Sequence, residues 1–406
     1  MKTPALSPRR SPALILLLMT FLPGLGAEIL HSPTWGFSLD LPEGFEYQGG
    51  DGKDRFSFYS PEGIILDLAA YPAAAYTSVG GMAADIQRRL NSSSDMTLFD
   101  YHGSQAALLE LSLTLPSAPQ SPGGPVSGWG LCLELAPVAG EAGPSRPKLV
   151  ALAFGPRENP SLNQLYLSAL DSIAPTPEDT LRPGPITAFA WPRGELRETP
   201  LAYSASRALM GQGDAAAAAA LVQREYAILA YYAETPLWRE AWARFYRFIF
   251  RDACGRLEDA ARALREEWIG GLPSASGSLE TPAGPLRSSE IPGKALAWVQ
   301  NFNYERNFEG PDFVDLVSAA LEGRGDCDSR ALLWALILEQ ADIHAAIMVS
   351  REYSHAMGLA DLDGAGARFD FAGKHWLVAE TTAPVALGQI NAETADPALW
   401  LGIELH

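Results

Sequence analysis

Cysteine, histidine and basic residues are scarce in this chain. Its 406 residues include three cysteines and six histidines, and 30 Lys and Arg face 48 Asp and Glu. The resulting formal charge of −18 argues against nucleic acid and against anionic membrane surfaces as partners. An odd number of cysteines leaves at least one thiol outside any intramolecular bridge. Cys132 and Cys254 fall in different regions and are expected as buried thiols, which leaves Cys327 free and reactive. Beyond the N-terminus no stretch is apolar enough to span a membrane. The Asp-x-Asp-x-Asp-Gly pattern of a calcium loop does not occur. No metal and no cofactor are expected. The expected partner is a protein or peptide substrate, and the sequence leaves the oligomeric state open.

What is present suits two or three domains, because 406 residues at 47% apolar can bury a sizeable core. Lys2, Arg9 and Arg10 precede an apolar run over 13–22, and Gly24-Leu25-Gly26 follows. This is the pattern of a cleaved leader, so 1–26 is expected to be a signal peptide and the protein periplasmic or secreted. Losing those three cations takes the formal charge from −18 to about −21.

Over 30–175 the expectation is an antiparallel α+β sandwich. Strands are read at 35–41, 55–59, 64–71, 106–113, 128–135 and 148–153, and helices at 82–90 and 162–173. The order of strands and helices is similar to that of PsbP-like domains. Over 176–199, Pro183-Gly184-Pro185 and Trp191-Pro192-Arg193-Gly194 predict a linker. Over 200–272 the chain is helical: an alanine run after Asp214, a helix from Pro236 with an aromatic stripe, and a third helix from Leu257. A Pro/Ser/Gly loop leads to a final unit over 290–406, with helices at 294–301 and 312–321.

Within that unit Gly323-Arg324-Gly325-Asp326-Cys327 reads as a tight turn entering a buried helix. A thiol at a helix N-terminus is expected to lose its proton readily. A nucleophile so placed needs a base and a group to orient it. His355 and Glu380 follow in that order within 53 residues. The run Gly325-Asp326-Cys327, the later His355 and the Glu380-Thr381-Thr382 strand resemble the transglutaminase-like domain of papain-type cysteine enzymes. So does Trp298-Val299-Gln300-Asn301-Phe302-Asn303-Tyr304 upstream. The resemblance covers roughly 290–392 and implies a papain-like core with a Cys327, His355, Glu380 triad. The family's third residue is usually Asp where this chain has Glu380. It also implies Gln300 or Tyr304 as oxyanion donors, beside the backbone N–H of Cys327.

His375 and Asp370 are the rival base and acid. If the strands 356–362 and 375–381 pair around 363–372 with partners summing to 735, His355 faces Glu380 and Asp361 faces Lys374. His375 stands an odd number of residues from Glu380 and points to the opposite face. His344 is expected to face solvent. The expected chemistry is attack of a Cys327 thiolate on an amide, through a thioester, with hydrolysis favoured over amine transfer. The competing reading is an inactive binding or scaffold protein.

Overall fold

The structure is a computed structural model that describes residues 29–91, 95–115, 123–137, 146–157, 159, 162–270, 290–306 and 311–406. The expected leader, the 273–285 loop and most of the Pro/Ser/Gly loop at 116–127 lie outside the described residues. The architecture is α+β, and none of the described helices is long and apolar enough to cross a membrane.

A short ladder of β1 (Leu30–His31) and β2 (Ser38–Leu39) opens the chain. The strand expected over 35–41 shrinks to two residues. A turn closes over it: Gly36 takes φ +73° and its N–H donates to the Ser32 carbonyl at 2.9 Å. Seven antiparallel strands follow: β3 (Glu46–Gly50), β4 (Arg55–Tyr59), β5 (Ile65–Tyr71), β6 (Met96–Tyr101), β7 (Ser104–Leu115), β8 (Gly124–Glu134) and β9 (Lys148–Pro156). Their order is β3-β4-β5-β9-β8-β7-β6. Side chains alternate between faces along a strand. Ala107, Leu109, Cys132 and Val150 therefore pack under α1 (Val79–Leu90), while Ala106, Leu108, Leu131 and Leu149 pack under α2 (Asn163–Asp171).

The stretch 176–199, expected as a linker, carries α3 (Pro185–Ala190) and β10 (Leu196–Pro200), the latter paired with β11 (Arg207–Gly211). It is bonded to the rest. Thr187 donates through both N–H and hydroxyl to Asp171, at 2.8 and 2.5 Å. Next come α4 (Asp214–Tyr232) and α5 (Trp238–Gly270). The two helices expected from Pro236 to Trp268 are one helix of 33 residues. Gly255 does not break it. It supplies a close approach instead, since a Cβ there would lie 2.7 Å from Pro183.

Four arginines on α5 are buried. Arg244 reaches Glu225 at 2.8 Å and the Asp40 carbonyl at 2.8 Å, and Arg247 grips both carboxylate oxygens of Asp40 at 2.9 Å. Arg251 donates to the carbonyls of 171–173, 179 and 182, and Arg256 to Asp214 and Asp252. Buried charge is tolerated only when paired in this way.

The last unit begins with α6 (Ile291–Gln300), whose Pro292 suits a first helical turn. β12 (Asn303–Tyr304) pairs in parallel with β13 (Arg324–Gly325), and α7 (Leu316–Glu322) lies between them. Then comes α8 (Cys327–Glu339), buried on every side from Ala331 to Leu338. It packs on an antiparallel sheet of β14 (Ala345–Ser350), β15 (His355–Ala360), β16 (Arg368–Phe371), β17 (Lys374–Ala379) and β18 (Leu401–Glu404), in the order β16-β17-β15-β14-β18.

Candidate active site

Two backbone details set Cys327 at the head of α8. Gly323 ends α7 at φ +66°, in the left-handed region, and a Cβ there would lie 2.4 Å from the Tyr203 ring. Asp326 then caps α8, its carboxylate accepting from the N–H of Ser329 at 2.7 Å and of Val314 at 3.2 Å. Cys327 is the first helical residue, so its own N–H has no partner within the helix.

The sheet brings up the base and the acid. Trp334 of α8 packs closely on Gly358 of β15, where a Cβ would be 2.3 Å from the ring. That close approach fixes the helix against the strand that His355 begins. His355 Nε2 and Glu380 Oε2 are 2.8 Å apart. The other oxygen of Glu380 accepts from the N–H and hydroxyl of Thr382, at 2.7 and 2.6 Å. Burial raises the Glu380 carboxyl, but the bond and charge of His355 and the bonds from Thr382 outweigh it, and the net shift is downward. An ionised Glu380 takes the Nε2–H of His355 and leaves Nδ1 as the basic nitrogen.

The strand register differs from the expected one. Gly358 opposes Ala379 and Ala360 opposes Leu377, so partners sum to 737 rather than 735. The reason is β16. The tight hairpin is β16–β17, closed by Ala372-Gly373 at positive φ, and β15 reaches β17 only through a longer excursion. A two-residue slip keeps the parity of the strands. His355 and Glu380 stay on one face and meet, and Lys374 still reaches Asp361 at 2.7 Å.

The electrostatics of Cys327 run against expectation. The thiol is 5% exposed, and burial pushes its pKa well up. The charges of Asp328 and Asp326 add to this, as does the bond from Sγ to Asp328 Oδ2 at 3.3 Å; the N–H of Ala356 pulls the other way. At a helix start the dipole favours a thiolate, but two neighbouring carboxyls in a poorly solvated setting override it. Both acids are themselves raised, first by loss of solvent; the charge of Asp328 then adds to the shift of Asp326. The hydroxyl of Tyr246, on α5, donates to Asp328.

The two oxyanion candidates separate. Gln300 donates through Nε2 to the carbonyls of Glu380 at 2.8 Å and Val385 at 3.0 Å. A primary amide has two N–H groups, so Gln300 is committed to holding the acid's loop and is not available to an oxyanion. Tyr304 is half exposed; loss of solvent raises its hydroxyl pKa, and the neighbouring Cys327 adds to the rise. His375 pairs across β16–β17 with Asp370, both side chains exposed, beside a shallow concavity of about 390 Å³ lined by Asp361, Arg368 and Lys374. His344 bonds Glu339 at 2.9 Å with its side chain 41% exposed. Cys132 and Cys254 are free buried thiols.

Asp328, Tyr246 and Thr382 are the neighbours missed in the sequence. Asp328 could have been flagged by its place directly after the cysteine. Tyr246 sits in the aromatic stripe of α5, where nothing in the pattern separates it from core.

No protein-family model matches the chain, and no curated protein matches it. A crystal structure from Bacteroides thetaiotaomicron VPI-5482 aligns with 57% of this chain and 78% of that one, at 10% identity and a TM-score of 0.24. A likeness that low carries no argument about fold or function.

Proposed function

We propose that the chain is a transglutaminase-like cysteine enzyme, exported by its N-terminal leader, that cleaves amide bonds in a protein or peptide substrate. The observation that carries the reading is the 2.8 Å bond between His355 and Glu380, its acid held by Thr382, beside a cysteine that opens a buried helix. A nucleophile-bearing helix packed on an antiparallel sheet that carries base and acid is the papain-like arrangement. The 30–175 region is read as its PsbP-like companion.

In this reading Cys327 rests as a neutral thiol. When a substrate carbonyl arrives, His355 Nδ1 takes the thiol proton as the sulfur attacks carbon. The oxyanion is met by the N–H of Cys327 and the hydroxyl of Tyr304. The C–N bond then breaks, and the amine leaves with the proton from His355. Water, deprotonated by the same nitrogen, attacks the thioester and frees Cys327. An amine in place of water would give transfer.

The buried, Asp328-bonded thiol favours a second reading, a binding protein that keeps the arrangement without the chemistry. Incubation with a peptide library followed by mass spectrometry decides. An acyl adduct on Cys327 that is lost in Cys327→Ala and reduced in His355→Ala supports the enzyme. Absence of any adduct and of any cleaved peptide favours the binding protein.

A further inference from the structure

The far end of α8 gathers a second set of side chains. Glu339 is its last residue. The chain turns and reaches β14, with His344 just ahead of it. β18 runs back along β14 with Ala346 opposite Glu404, and two more places in that register set His344 opposite His406. Residues 62 positions apart are thus brought together by strand pairing. His344 Nδ1 lies 2.9 Å from Glu339 Oε1, and His406 Nε2 lies 3.5 Å from Glu339 Oε2. One ligand atom from each of the three residues lies within 4.8 Å of the others.

We infer that Glu339, His344 and His406 bind one divalent transition-metal ion of the zinc class. Two imidazoles and one carboxylate form a donor set of borderline softness that suits zinc better than calcium or magnesium. Bonds of about 2.0–2.1 Å in a tetrahedron place ligand atoms roughly 3.3–3.5 Å apart, so the three need only small shifts to close on an ion. The rings are already oriented. His406 stacks on buried Phe250 at 6.3 Å, and His344 leans on buried Trp376 at 5.5 Å. The Ala345 N–H donates to Glu339 Oε1 at 2.6 Å and orients the carboxylate, as outer-shell donors do. A helix C-terminus favours a cation. The imidazole side chains are 41% and 36% exposed, which leaves a route for the ion and a fourth position for water. The ion would tie β18 to α8 at the end opposite Cys327.

The test uses tag-free protein stripped with chelator and titrated with Co²⁺, read by its visible absorption, then displaced with Zn²⁺. One equivalent should bind per chain and raise the melting temperature. His344→Ala and His406→Ala should each weaken binding at least about tenfold and abolish the thermal shift, while Cys327→Ser should leave both unchanged. No saturable binding up to about 1 mM, binding that survives both histidine substitutions, or binding lost in Cys327→Ser would each overturn the assignment.

Discussion

Glu43 is a buried carboxyl that no hydrogen bond holds. It is 6% exposed, and neither carboxylate oxygen has a hydrogen-bond partner among the described residues. Burial raises its pKa from 4.5 to about 7, although Arg244 and Arg247 pull it down; Asp40 adds to the rise. The sign follows from linkage. Below pH 4.5 the group is protonated whether the chain is folded or not. Between 4.5 and 7 the folded state holds a proton that the unfolded state has released, so stability falls as pH rises. Above 7 the group is ionised in both states and the loss is complete. At about 1.4 kcal/mol per unit, a shift of roughly 2.5 units costs about 3 kcal/mol, a large part of the 5–15 kcal/mol typical of a folded domain. Glu43→Gln stays neutral at every pH. Unfolding free energies from urea titrations should therefore match the parent near pH 4.5 and exceed it by about 3 kcal/mol near pH 8, with the slope m unchanged. A difference that is flat across this range would refute the reasoning, because it would mean that Glu43 ionises in the fold as it does in water.

Asp328→Asn should lower the Cys327 pKa by removing the nearest carboxylate, so iodoacetamide should label Cys327 faster at neutral pH than in the parent; an unchanged or slower rate counts against the electrostatic account. Thr382→Val removes one of two donors to Glu380 Oε1 and should cut kcat/KM about tenfold, the worth of one hydrogen bond to a charged group. The acid limb of its pH profile should move to higher pH, because the bond lowers the Glu380 pKa. Gly358→Ala drives a methyl into the Trp334 ring and should cost roughly 1–3 kcal/mol in thermal unfolding.

The legible parts of this fold are those where burial imposes a pattern. β5, β7, β8, β9, β14, β15 and β17 carry apolar residues in runs or alternation, because one or both of their faces are covered. Within the two large sheets, the strands without such a signal, β3, β6, β16 and β18, are the four edges. Edge strands such as Glu46–Gly50 expose most side chains, and nothing selects for apolar spacing there. The pairing of His355 with Glu380 was legible for a related reason: parity along a strand survives a shift of two residues. Gln300 and the Cys327 pKa were misread because each depends on neighbours distant in sequence. Gln300 is set by carbonyls at 380 and 385, and the thiol by its burial against α5 and the sheet as well as by its adjacent acids.

Helix α5 bears on how this chain can be cut. Its Ala241 lies in the core beneath the seven-stranded sheet, while its residues from Phe245 to Leu264 line the core around α8. Its arginines reach back to Asp40, Ser172 and Arg182. The half that holds Cys327 is therefore not a module in the genetic sense. A fragment starting at 290 would leave Trp298 and Phe313 facing water where Trp268 and Phe245 of α5 had been, and one ending at 175 would lose the cations that neutralise Asp40 and Asp171. Recombination or domain shuffling would have to carry all of 185–270 along with either partner, so the two sheets are expected to travel through evolution as one unit.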